Sequence, residues 1–285
     1  MDLPEAILKE KLINFLKEDI GLVDITTDTL ISKGTKAKGK VIAKQGFLLA
    51  GISEVKLLFS ILNLKTEGNF KDGEWVNFED IILTVYGEAG SILMAERTAL
   101  NLLMRMSGIA TLTRHLSEKI KKLGVKTRIS ATRKVAPGLV YFDKKAVKIG
   151  GGDTHRLHLE DAILIKDNHI TLLGSLEKAI DLAKDASFTK KIEIEVKNKE
   201  QAIKVALLGV DIIMLDNFSP TEVKETIEIL KEKGLREKVI IEVSGSITQE
   251  NLVEYARFEP DIISLGQLTH SAKAVDISLD MKSND

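Results

Sequence analysis

The chain contains no cysteine. Disulfides, thiolate zinc sites and cysteine nucleophiles are therefore excluded. It has one tryptophan, Trp75, and five histidines in 285 residues. His155 and His169 have no third histidine at metal-ligand spacing, so a transition-metal centre is not expected. Charge of one sign is lacking too: 41 Lys+Arg against 42 Asp+Glu leave a formal net charge of −1. A general attraction to nucleic acid or membrane is not indicated, and any anion site must come from local clustering. No apolar run is long enough to span a bilayer. MDLPEAILKEKL has no signal-peptide core, and the cytoplasm is the expected compartment. No low-complexity tract or exact repeat occurs.

What is present suffices for a large core. Hydrophobic residues make up 44% and charged residues 29%, the balance of a globular chain. The length suits one large α/β domain, or one such domain and a smaller one. In the first hundred residues, EAILKEKLINFLKED and SEVKLLFSIL have helical spacing. KAKGKVIAKQGFLLAG and DIILTVYGEAG read as strands broken by glycine. LMAERTALNLLMRMSGIATLTRHLSEKIKKLG reads as a helix, kinked or broken near Gly108. Trp75, in KDGEWVNFED, reads as a packing residue.

From Thr127 the rhythm changes. RIS, KAVKI, AILI, IEIEV, DIIML, VIIEV and DIISL are short apolar runs. SLEKAIDLAKD, KEQAIKVALLG, PTEVKETIEILKEKG and TQENLVEYARF, between the later runs, are amphipathic. Apolar runs separated by helices predict parallel strands buried on both faces. Seven candidate strands fit a βα barrel better than an open sheet. Unusual residues follow each run: ATRK, GGGDTHR, KDNH, Asp216-Asn217, SGS and Gly266-Gln267, with Glu195 near the end of IEIEV. In βα barrels the active site lies at the carboxyl ends of the strands. The shared phase of these motifs carries more weight than any one of them.

Arg133, Lys134, His155, Arg156 and Lys166 all fall at such ends. Singly, each reads equally well as a surface cation paired with an acid. Five on one rim favour an anion site, and arginine forks match carboxylates and phosphates. Two or more forks suggest a ligand with several anionic groups. Glu193 and Glu195 share a strand face, and Glu193 reads as structural. Asp216 follows a wholly apolar run, where an unpaired carboxylate is costly. Glu195 and Asp216 read either as partners of rim lysines or as a pair holding Mg²⁺ before a developing positive charge. Ser244, Gly245, Ser246 and Gly266 resemble phosphate cradles after the last two strands. Ser246 and Thr248 suit a helix cap equally well.

ATRKVAPGL, KAVKIGGGDTHRLHLEDAILIKDNHI, EIEV, IIMLDN, EVSGSI and SLGQLTHS occur in that order. Together they resemble the hallmark blocks of the quinolinate phosphoribosyltransferase family. AERTALNLLMRMSGIAT is similar to its linker-helix block. The resemblance covers Ala95 to Ser271. It implies an N-terminal α/β sandwich domain (1–108) and an incomplete, about seven-stranded α/β barrel (109–271). A tail (272–285) returns to the first domain. It also implies transfer of phosphoribose to quinolinate, Mg²⁺ as cofactor, and a homodimer or higher assembly with a shared site. By the same resemblance Arg133, Lys134, His155, Arg156 and Lys166 line the quinolinate pocket, and Arg97 enters from the neighbouring subunit. Glu195 and Asp216 hold ribose and Mg²⁺, and Ser244, Gly245, Ser246 and Gly266 take the 5′-phosphate. Gly150, Gly151 and Gly152 are expected to turn the chain tightly at a strand end, aiming His155 and Arg156 inward.

Three positions depart from the family pattern. An alanine precedes TRK where an acid is expected. SGS stands where two glycines are frequent, and Gln267 replaces a small residue. The ATRK form resembles a molybdenum-transport-associated sibling, but IKDNH favours the quinolinate enzyme. Two other readings remain: a Schiff-base aldolase built on Lys166, and a phosphate-ligand sensor without turnover.

Overall fold

A computed structural model of the chain describes residues 2–283. Residues 284 and 285 of the expected tail lie outside the described residues. In chain order, α1 (Glu5–Ile20) and α2 (Ile25–Leu30) precede β1 (Lys36–Ala43), β2 (Phe47–Leu48) and α3 (Ile52–Ile61). Then come β3 (Lys65–Glu67), β4 (Trp75–Val76), β5 (Ile81–Glu88) and the long α4 (Ala89–Lys121). β6 (Arg128–Ser130), α5 (Val140–Ile149), β7 (Ile163–Ile165), α6 (Asp167–Leu173) and α7 (Leu176–Ala186) follow. The alternation continues with β8 (Ile192–Val196), α8 (Lys199–Leu207), β9 (Ile212–Asp216), α9 (Pro220–Glu232) and β10 (Ile240–Ser244). The chain closes with α10 (Leu252–Ala256), β11 (Ile262–Ser264), α11 (Gln267–His270) and β12 (Ile277–Ser283).

The chain forms two compact units. One comprises the residues up to Arg114, Ala136–Gly151 and those from Ser271 onward; the other is His115–Val135 with Gly152–His270. The first contains a four-stranded sheet ordered β12-β1-β5-β3, with antiparallel pairs. β1 alternates buried and less buried residues, the period expected of a strand with one face on a core. α1 buries Leu8, Leu12 and Leu16, one stripe at helical spacing. Trp75 pairs with Leu48 across β2 and β4 and stays 44% exposed.

Gly108 does not break α4, contrary to expectation. The helix runs through it, and a Cβ there would collide with the backbone carbonyl of Lys273. The glycine serves a close approach of two backbones rather than a kink.

KAVKI also departs from expectation: it is the end of α5, not a strand. The run is short and apolar like the strands, but burial recurs four residues apart, at Phe142 and Ala146 and at Asp143 and Val147. The glycines that follow therefore end a helix. A Cβ at Gly150 would come within 2.6 Å of the Ala110 carbonyl oxygen on α4, and Gly151 has φ 91°.

The second unit is built on a six-stranded parallel sheet ordered β6-β11-β10-β9-β8-β7. A seventh position is occupied by one residue: Asp153 forms a parallel bridge with Ser130 of β6. Helices follow β7, β8, β9, β10 and β11, the alternation of an α/β barrel that no full seventh strand completes. Ser175, Asn198 and Ser219 cap α7, α8 and α9 by accepting backbone N–H groups. Among the described residues no helix is long and apolar enough to cross a membrane.

Candidate active site

A cavity of about 540 Å³ lies at the carboxyl ends of the sheet, lined from β7, β8, β9 and β10 and from the segment after β6. In-register pairing sets the acidic wall. Glu195 of β8 stands beside Met214 of β9, and Asp216, at the end of β9, stands beside Ser244 of β10. Lys166, just after β7, places Nζ 2.8 Å from Glu195 Oε2. Asn217 Nδ2 donates to Asp216 Oδ2 at 2.9 Å. Burial, then the charge of Glu195, raises the Asp216 carboxyl above the usual carboxylate range. Two acids thus crowd one spot, which disfavours a second negative charge.

The basic wall comes from the segments beside β6. Arg133 and Lys134 follow the strand, and Lys134 accepts a 2.7 Å hydrogen bond from Thr269 Oγ1 at its carbonyl. A Cβ on Gly266 would lie 2.9 Å from His270 Nε2 and 3.2 Å from Lys134 Cδ. Gly266 therefore leaves room for the lysine chain, although it does not line the cavity itself. Gln267 Nε2, at the departure from the family pattern, is buried without a hydrogen-bond partner among the described residues. The bridge at Asp153 carries the chain inward to His155 and Arg156. Burial, then the charge of Arg133, pushes the Arg156 guanidinium below its usual value. Arg156 Nε is buried and has no hydrogen-bond partner among the described residues. Two neighbouring guanidiniums and an unused donor make a receptor for an anion.

The third wall is backbone-rich. Ser244, Gly245 and Ser246 line the cavity, and Gly245 has φ 90°. His155, Asn217 and Ser246 all carry positive φ without being glycine. Such strain is uncommon outside glycine and clusters at functional sites.

The cavity thus gathers Arg133, Lys134, His155, Arg156, Lys166, Glu195, Asp216, Ser244, Gly245 and Ser246. Gly266 lies one shell out, and Arg97, on α4 with a side chain 58% exposed, is not among the lining residues. His169 does not line it; its Nδ1 accepts from the Lys166 backbone N–H at 2.9 Å and fixes the start of α6. Glu242 and Asn217 also line it, beyond the residues the sequence motifs single out. Glu242 was discoverable: VIIEV carries an acid inside an apolar run, as IEIEV does.

A parallel barrel sheet with cations, a carboxylate pair and a glycine-turn cradle at one end defines an enzyme acting on small, multiply anionic substrates. Comparison makes the class specific. Residues 109–280 match the quinolinate phosphoribosyl transferase C-terminal domain, and residues 24–107 match the N-terminal domain of the same family. A probable nicotinate-nucleotide pyrophosphorylase [carboxylating] of Archaeoglobus fulgidus is 49% identical over 239 residues, spanning 84% of this chain and 92% of that protein. The human nicotinate-nucleotide pyrophosphorylase [carboxylating] is 33% identical over 97% of this chain and 92% of its own. The crystal structure of NadC from Streptococcus pyogenes superposes with a TM-score of 0.91 at 35% identity, covering 100% of both chains. The chain belongs to the quinolinate phosphoribosyltransferase family.

Proposed function

We propose that this chain transfers the phosphoribosyl group of phosphoribosyl pyrophosphate to quinolinate. The products are nicotinate mononucleotide, pyrophosphate and carbon dioxide, in de novo NAD biosynthesis. The observation that carries this reading is the pairing of Arg133 with Arg156, whose Nε has no hydrogen-bond partner among the described residues, in one cavity with Glu195 and Asp216. One side suits a dicarboxylate and the other suits a sugar whose anomeric carbon becomes positive.

Arg133, Arg156, His155, Lys134 and Lys166 hold the two quinolinate carboxylates and orient the ring nitrogen toward the sugar. The nitrogen lone pair attacks the anomeric carbon as the bond to pyrophosphate breaks, and pyrophosphate departs with that electron pair. Glu195 and Asp216 face the positive charge that develops on the ribose. The ribosylated ring nitrogen is cationic, so the C2–carboxylate bond can break with its pair left on C2, which then takes a proton. Ser244, Gly245 and Ser246 bind the 5′-phosphate in the turn made by Gly245, with Gly266 beside them. The protein supplies position and charge balance. No covalent nucleophile is needed, and Lys166 is engaged by Glu195 rather than poised for a Schiff base.

Glu195 and Asp216 fit Mg²⁺: both offer hard oxygen donors, and their mutual repulsion is relieved by a cation. Bound there, Mg²⁺ would neutralise charge on the departing pyrophosphate. The proposal includes a cytoplasmic homodimer in which Arg97 of each subunit completes the other's pocket. The test is incubation with quinolinate, phosphoribosyl pyrophosphate and Mg²⁺, following nicotinate mononucleotide by chromatography. Nicotinate in place of quinolinate should give little product. Turnover of nicotinate alone would overturn the assignment. Mixing inactive Arg97→Ala and Lys166→Ala subunits should restore part of the activity, and no recovery would count against the shared site.

A further inference from the structure

Beneath the candidate site the barrel interior is polar where such interiors are ordinarily filled by Val, Ile and Leu. Glu193 of β8 and Glu242 of β10 both point inward, one strand apart across β9, and are 1% and 2% exposed. His155 lies between them. Its Nε2 is 3.3 Å from Glu193 Oε2 and 3.3 Å from Glu242 Oε2. The remaining oxygens, Oε1 of each glutamate, have no hydrogen-bond partner among the described residues. A second cavity, of about 210 Å³, reaches the same three residues and is also lined by Ile212, Ile240 and Ile262 of the sheet.

Two carboxylates removed from water need positive charge nearby. His155 is the group that faces both. Were its ring neutral, two buried anions would share one uncharged N–H. Were it neutral with Nε2 bare, a lone pair would face two anions. A charged ring removes both problems, because both nitrogens then carry hydrogens. Nε2 serves the glutamates, and Nδ1 becomes a donor instead of an acceptor. The distinction matters because His155 also lines the upper cavity. An acceptor there would repel a carboxylate ligand, and a donor attracts one. Left to itself a histidine is mostly uncharged above about pH 6.5.

We propose that Glu193 and Glu242 are positioning residues that clamp His155 Nε2 and keep the ring charged, so that Nδ1 serves as a permanent donor to a dicarboxylate ligand. This rests on the quinolinate reading above for the ligand, though not for the clamp itself. The other groups around the ring fit the clamp. Asp153 Oδ1 accepts the His155 backbone N–H at 3.1 Å, and its Oδ2 is engaged by Arg128 at 2.8 Å. Arg156 is adjacent and cationic, and Lys191 lines the lower cavity. Burial alone would strip the proton from the ring, yet the hydrogen bonds to Glu193 and Glu242 outweigh it and raise His155 to about 10. The same three residues could in outline hold a metal ion, but Nε2 would then have to be unprotonated.

The test uses the whole protein and two readouts. Ring ¹⁵N shifts of His155, assigned by comparison with His155→Gln, should be those of a charged imidazole up to about pH 9 and should move in Glu193→Gln or Glu242→Gln toward an ordinary titration near about pH 6.5. In the same variants KM for quinolinate should rise about tenfold between about pH 6 and pH 8, with kcat within about threefold and KM in the wild type nearly flat. Two separate substitutions guard against one that fails to fold. A neutral His155 ring in the wild type at neutral pH would overturn the clamp, as would variants that keep the wild-type profile. A stoichiometric metal ion lost on Glu193→Gln would overturn it too. If the wild type does not turn over quinolinate at all, the proposed function fails, while the nitrogen shifts still judge the clamp.

Discussion

Gly245 has no side chain because Asn217 fills the place one would take. A Cβ built on Gly245 would fall on Asn217 Oδ1 and lie 2.9 Å from the Asn217 backbone nitrogen. Asn217 cannot easily withdraw. Its Nδ2 is held by Asp216, its Oδ1 accepts from Ser246 Oγ at 3.3 Å, and its backbone N–H donates to Ser244. The loop after β10 is thereby tied to the acid at the end of β9. Gly245→Ala must displace Asn217 and also adopt φ 90°, a backbone cost of about 1–3 kcal/mol. The variant should raise KM for phosphoribosyl pyrophosphate at least about tenfold while quinolinate KM changes much less. Equal shifts in both constants would mean that the loop does not serve the phosphate.

Arg133 and Arg156 line the same cavity, and their charges repel each other. Arg133→Ala removes a charged fork worth about 2 kcal/mol in a charge-assisted contact, or about thirtyfold in quinolinate affinity. Arg133→Lys should recover only part, because an ammonium cannot make the paired contact. Calorimetric titration with quinolinate measures both. Unchanged affinity in Arg133→Ala would remove that residue from the pocket.

The His155 environment also sets a pH dependence of stability. The folded value, about 10, lies above the unfolded value of about 6.5. A raised value means that the folded state holds the proton more tightly. The resulting stabilisation is complete below about pH 6.5 and is lost as pH rises toward about 10. His155→Gln should therefore melt several degrees below the wild type at about pH 6, and the gap should narrow steadily toward pH 10. Melting followed by circular dichroism across that range decides it. A gap that stays constant or widens with pH would show that His155 carries no raised proton affinity.

Much of this site was legible because apolar runs of a parallel sheet are conspicuous and the polar residues just after them share one phase. IEIEV, DIIML, VIIEV and DIISL became β8, β9, β10 and β11, and the residues expected at the ends of the first three line one cavity, while Gly266 after the fourth stands just behind it. Other features depend on partners far away in sequence. KAVKI looks like one more short apolar run followed by glycines, and only the burial of the preceding turn, at Phe142 and Asp143, shows it as the end of a helix. Gly108 looks like a helix breaker until Lys273, more than a hundred residues later, is seen against it. Within IEIEV, Glu193 is a buried acid in need of a partner, and the pairing with His155 supplies one. That Glu242 shares this partner could not be read without the register that places β8 and β10 on either side of β9.

The first unit offers a test of stability apart from chemistry. Asp143 of α5 is fully buried and takes two hydrogen bonds from Arg105 of α4, at 2.7 and 2.8 Å. Those bonds raise the proton affinity of Arg105 further above its already high value, against the opposing effect of burial. The geometry is the fork-to-carboxylate match that makes buried ion pairs tolerable. Breaking a fully buried pair from one side costs about 3–5 kcal/mol and replacing both partners by apolar residues can be nearly neutral; with Arg105 partly exposed the cost here falls at or below the lower end. Asp143→Leu alone should therefore lower the urea midpoint strongly. Arg105→Leu combined with Asp143→Leu should recover a large part of the loss, giving a coupling of about 2 kcal/mol or more in a double-mutant cycle. Strictly additive losses would falsify the view that buried Asp143 and half-buried Arg105 act as one unit.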